Sequence, residues 1–101
     1  MKKIYILSVL STLILISCQK VPSSSFTHDG IYKVNEEISF TNTSRNAHSY
    51  KWNFGDGDTS IVESPTHVYT WRDTYHIHLT TYSKNGRKEN TYHTTCFIDT
   101  L

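Results

Sequence analysis

From Phe26 to the end of the chain the apolar residues recur at every second position, and no window carries the three-to-four spacing of a helical stripe. A period of two sends alternate side chains to opposite faces of a strand, so this pattern restricts the fold more than any residue count does. Ile38 and Phe40 share one face, with Glu37, Ser39 and Thr41 on the other. Tyr50, Trp52 and Phe54 alternate with Lys51 and Asn53; Tyr75, Ile77 and Leu79 alternate with His76, His78 and Thr80. A final run, about Asn90 to Asp99, carries Tyr92, Phe97 and Ile98, whose parity breaks once and predicts a bulge. Turn-forming residues separate the runs at Asn42 to Asn46, Gly55-Asp56-Gly57, Ser64-Pro65 and Asn85-Gly86. Asn85-Gly86 between two strand-like runs predicts a hairpin. Short strands, each with one polar face, predict an all-β antiparallel sandwich.

The start of the chain follows a different logic. Lys2 and Lys3 precede an apolar stretch from Ile4 to Ile16, and the small Ser17 sits before Cys18, which is the pattern of an exported protein's signal segment. The apolar stretch is shorter than the roughly 20 residues a helix needs to cross a bilayer. Leu15-Ile16-Ser17-Cys18 resembles the bacterial lipobox, in which the cysteine thiol is alkylated with diacylglycerol and becomes the first mature residue. An ordinary secretory signal followed by a chance cysteine is the alternative. The resemblance implies that residues 1–17 are removed and that Cys18 is the point of lipid attachment. Gln19-Lys20 brings no aspartate after the cysteine, which by resemblance to enteric lipoproteins implies outer-membrane delivery. Pro22 and the run Ser23-Ser24-Ser25 predict a flexible tether over residues 18–25, with the folded domain at 26–101.

Removing 17 residues from 101 leaves 84, enough for one small domain. Losing Lys2 and Lys3 leaves eight basic residues against nine acidic ones, a net charge of −1 with no basic stripe, so nucleic acid is excluded as a partner. With Cys18 acylated only Cys96 remains, and no internal disulfide can form. Stability must then come from a core rich in Tyr, Trp and Phe.

Three spaced motifs carry a family resemblance. Trp52-Asn53-Phe54-Gly55-Asp56-Gly57, then Ser64-Pro65-Thr66-His67-Val68-Tyr69, then Tyr75-His76-Ile77-His78-Leu79 resemble the PKD (polycystic kidney disease) domain, with its W-x-F-G-D-G, P-x-H-x-Y and G-x-Y-x-V-x-L patterns. Ser39-Phe40 with Asn42 and Ser44 fits that family's second strand and following turn. The resemblance implies an immunoglobulin-like sandwich of about seven strands, and it implies that Trp52, Phe54, Gly55, Asp56, Gly57, Pro65, His67, Tyr69 and Tyr75 are structural. Trp52, mid-strand on the inward parity, can fill the space between sheets about 10 Å apart. Gly55 and Gly57 permit positive φ, and Asp56 can accept backbone N–H groups across the turn. Asp73 stands where the family has glycine, and an αL turn is expected there.

Sites of chemistry are sparse. Asp56 and Asp58 suggest calcium, which some relatives of this family bind. The run lacks the glycine an EF-hand loop needs, having Ile61, and His67 replaces its last glutamate, so a solvated turn is the reading adopted. His76 and His78 share one outward face about 7 Å apart, with His93 as a possible third ligand; two exposed polar residues on a solvated sheet are the simpler expectation, and no metal or other cofactor is expected. Cys96 reads as a small buried hydrophobe, and no serine has a histidine and a carboxylate arranged around it, so catalysis is not expected. Trp71 falls in a loop beside Arg72. Its indole either folds back over the end of the sandwich or stands exposed as an anchor for a protein or a sugar ring. The expected function is a non-catalytic envelope protein, held at the membrane by Cys18, that mediates protein–protein or adhesive contacts. A glycan-binding accessory of a polysaccharide-degrading or uptake system is the alternative.

Overall fold

The computed structural model describes residues 20–100; Cys18 and the segment before it lie outside them. Seven strands follow in order: β1 (Phe26–Gly30), β2 (Glu37–Asn42), β3 (Ser49–Asn53), β4 (Thr59–Ser60), β5 (Thr66–Val68), β6 (Asp73–Tyr82) and β7 (Glu89–Ile98). They form two antiparallel sheets, β1-β2-β5 and β4-β3-β6-β7. The expected all-β, immunoglobulin-like sandwich is the fold observed.

The inner faces carry the residues whose parity marked them. Ile38, Phe40, Trp52, Phe54, Ile77 and Leu79 are all buried. Phe40 of one sheet meets Trp52 and Phe54 of the other at ring-centroid distances of 5.5 and 5.4 Å, and Phe26 packs edge-on to Trp52 at 4.8 Å. Offset and edge-on aromatic contacts add about 0.5–1.5 kcal/mol each beyond area burial, which suits a small core without disulfides. The Asn85-Gly86 hairpin forms: Gly86 has φ of 74° and donates to Ser83 O at 2.9 Å, while Ser83 N–H donates to Lys88 O at 2.8 Å.

Three expectations are corrected. The segment read as a tether is docked from Pro22 onward. Pro22 is buried, Ser23 and Arg45 exchange two backbone hydrogen bonds of 2.9 Å, and Ser25 O accepts from Thr43 N–H at 2.9 Å. Ser24 Oγ donates to Asn90 O at 2.7 Å and lies 2.6 Å from Thr81 Oγ1, so the Thr81 hydroxyl is the donor between the two. Small hydroxyl residues join a core when every donor and acceptor is met there, as here. The bulge is absent: β7 pairs residue for residue with β6 from Asp73↔Ile98 to Tyr82↔Glu89. Phe97 simply faces outward while Cys96 and Ile98 face inward. Asp73 does not take the left-handed conformation; it opens β6, and its carboxylate accepts the Thr74 N–H at 2.7 Å. Asn35 and Asn46 are the non-glycine residues with positive φ among those described.

Candidate functional site

The Gly55-Asp56-Gly57 turn and β5 come together at the margin of the sandwich. Gly55 has φ of 84°, and a Cβ there would fall 2.5 Å from His76 O, so glycine is required both for conformation and for space. Asp56 uses both carboxylate oxygens: Oδ1 accepts the Asp58 N–H at 3.1 Å, and Oδ2 accepts from His67 Nε2–H at 2.7 Å. The His67 ring stacks on Phe54 with centroids 4.1 Å apart and planes 6° apart, and meets Tyr69 edge-on at 4.6 Å. Tyr69 is fully buried, stacks on Tyr75 at 4.0 Å, and donates its hydroxyl to Phe54 O at 2.8 Å. Burial pushes the Tyr69 hydroxyl well above its ordinary range, so it stays a donor at neutral pH. Pro65 is buried at the start of β5, and its carbonyl accepts the Phe40 N–H at 2.9 Å. These motif residues knit strands together.

Asp56, Asp58 and His67 place three ligand-type atoms within 4.8 Å of one another. Calcium takes about six to eight oxygens, whereas here one carboxylate is already committed to His67 and to a backbone N–H. The residues fit a hydrogen-bonded turn rather than a calcium cradle.

A different surface is free for contact. Trp71, in the link between Tyr69 and β6, is 78% exposed. The exposed alternative for this indole is the one observed, yet its backbone is held: Trp71 O accepts the Tyr75 hydroxyl at 2.7 Å. Beside it Arg72 donates from Nε to Asp99 Oδ1 at 3.1 Å and sets its guanidinium over the Phe97 ring, 5.2 Å from the centroid. The Asp99 carboxyl is held below its usual range, first by the Thr100 N–H and then by Arg72. Phe97 is half-exposed and also lines a shallow open cleft of about 350 Å³ with His28, Tyr32, Thr95 and Cys96. Their loop position in the sequence pointed to Trp71 and Arg72, but nothing pointed to Phe97, because an aromatic on the outer face of an edge strand looks like a register break.

Nothing in the cleft is set up as a nucleophile. Cys96 is buried, and that burial raises the pKa of its thiol. His76, His78 and His93 lie exposed on the outer face of the four-stranded sheet, with His78 directly opposite His93.

Residues 22–98 match the family model described as PKD domain. The chain belongs to the PKD domain family. PKD domains are non-catalytic modules, and the relatives of this one include parts of enzymes. A 60-residue stretch is 45% identical to Collagenase ColA of Bacillus cereus, covering 54% of this chain but 6% of the collagenase. The PKD1 domain of Vibrio cholerae metalloprotease PrtV superposes with a TM-score of 0.69 at 28% identity, covering 79% of this chain and 99% of that domain. A structure of carbohydrate-binding modules from the β-sandwich superfamily gives a TM-score of 0.75 at 21% identity over 82% of this chain and 36% of the other, a likeness of fold.

Proposed function

We propose that this PKD domain is an exported binding module, lipid-anchored to the bacterial envelope through Cys18, that makes protein–protein or adhesive contacts through the surface of Trp71, Arg72 and Phe97. The observation that carries the reading is the 78% exposure of Trp71 on a backbone pinned by Tyr75. A large aromatic on a held backbone beside an arginine needs little backbone reordering on binding, and Trp and Arg dominate the energetics of contact surfaces. Matches to a collagenase and a metalloprotease support an accessory role near extracellular polymers and support export. The lipobox-like run at Leu15 to Cys18 supports the anchor, and the absence of an aspartate after it favours the outer membrane.

Glycan binding is the second reading, favoured by the same exposed indole, since an aromatic face can stack on a sugar ring. The sandwich shared with carbohydrate-binding modules supports it at the level of fold.

Two experiments test the proposal. Detergent partitioning should place the mature wild-type protein in the detergent phase and leave Cys18→Ala as uncleaved precursor; mature wild-type protein in the aqueous phase would refute the anchor. Retention on fibrillar collagen, the substrate class named by the matched collagenase, supports the protein-contact reading, and retention on insoluble polysaccharides supports the glycan reading. Equal retention by wild type and Arg72→Ala on both supports contradicts the assigned surface.

A further inference from the structure

The outer face of the four-stranded sheet carries a feature that the binding surface does not use. Antiparallel pairing of β6 with β7 sets His78 directly opposite His93, and the two rings lie 5.3 Å apart between centroids with planes 28° apart. His76, two residues before His78 and opposite Thr95, projects from the same face. Residues two apart on a strand are separated by about 7 Å, and diagonal cross-strand neighbours by about 7–8 Å, so His76 stands within imidazole reach of a point between the other two. All three residues are exposed, and the three rings make no hydrogen bond to a described residue.

The spacing has chemical meaning. An ion holding two imidazole nitrogens at about 2.0–2.1 Å in a tetrahedral arrangement sets the ring centroids roughly 5.2 Å apart. The observed 5.3 Å matches that separation, and both rings are exposed and so able to reorient about their Cβ–Cγ bonds. Imidazole nitrogens suit zinc, copper and nickel, whereas calcium and magnesium prefer oxygen. Asn53, the neighbour of His78 on β3, already accepts the Gly55 N–H through Oδ1, and Thr95 offers no charge, so solvent completes the coordination.

We propose that His78 and His93, with His76 as third ligand, form a binding site for a divalent transition metal of the zinc and copper class on the exposed face of β6 and β7. The site is separate from Asp56, Asp58 and His67. It would staple the two long strands and leave coordination positions open.

Zinc chloride titrated into the full chain by calorimetry tests this. Saturable one-to-one binding is expected in the wild type. The affinity should fall at least tenfold in His76→Ala and should be lost in the His78→Ala/His93→Ala double variant, while Asp58→Asn should leave it unchanged. Zinc should raise the melting temperature of the wild type but not of the double variant, whose metal-free melting temperature should match the wild type because both rings are exposed. Absence of saturable zinc binding, unchanged affinity in the histidine variants, or loss of binding in Asp58→Asn overturns the proposal.

Discussion

The hydroxyl of Tyr69 donates to the carbonyl oxygen of Phe54 at 2.8 Å, joining the end of the third strand to the link after the fifth across a buried interface. Tyr69→Phe removes the donor and leaves that carbonyl buried, a loss of about 1–3 kcal/mol. Denaturant midpoints should show it, with the slope of the transition unchanged.

The same hydroxyl gives the domain an alkaline limit. Burial raises the pKa of Tyr69 above its ordinary value, and burial also acts upward on Tyr32, Tyr50, Tyr75 and Cys96. For each group the folded state favours the protonated form. Its contribution is therefore fully present below the unfolded-chain value, about 10 for tyrosine and 8.5 for cysteine, and is lost as pH rises beyond it. Melting temperature should be insensitive to these groups at neutral pH, should begin to fall above about pH 8.5 as Cys96 contributes, and should fall more steeply above about pH 10 as the tyrosines do. Tyr69→Phe should flatten that fall; an equally steep fall in the variant would contradict the assignment.

Core and surface substitutions should separate cleanly. Trp52 is fully buried, and Trp52→Ala should cost about 3–5 kcal/mol or prevent folding. His78 is exposed, and His78→Ala in the absence of metal should change stability by less than about 0.5 kcal/mol. Comparable urea midpoints for the two variants would mean the inward and outward faces are misassigned.

The two glycines of the turn should not be equivalent. Gly57 has φ of 97° with open space around it, so Gly57→Ala pays only the conformational cost, about 1–3 kcal/mol. Gly55→Ala meets that cost and also drives a methyl group against His76 O, and it should be the more damaging change in thermal melts.

Much of this was legible because strand parity is a local property. Tyr50, Trp52 and Phe54 alternate with polar neighbours, and the inner face follows from the chain alone. What escaped depends on distant partners. Ser24 reads as linker until Thr81 and Asn90, far along the chain, supply its hydrogen bonds. Phe97 reads as a register break until Arg72 covers its outward ring. The three residues of β5 were visible only as part of a motif, and β4, two residues long, fell between motifs and was not seen. His93 was named beside His76 and His78 from the sequence, but its place directly opposite His78 follows only from the register of the sixth and seventh strands. The two fates open to Trp71 were separable only by seeing where the link between Tyr69 and the sixth strand runs.

The most direct test of the contact surface is one variant measured two ways. Trp71→Ala should melt within a few degrees of the wild type, because a side chain 78% exposed contributes little to the core. On whichever support retains the wild type, it should bind at least about 2 kcal/mol more weakly, the usual threshold for a dominant contact residue. A large drop in melting temperature, or undiminished binding at an unchanged melting temperature, would contradict the account.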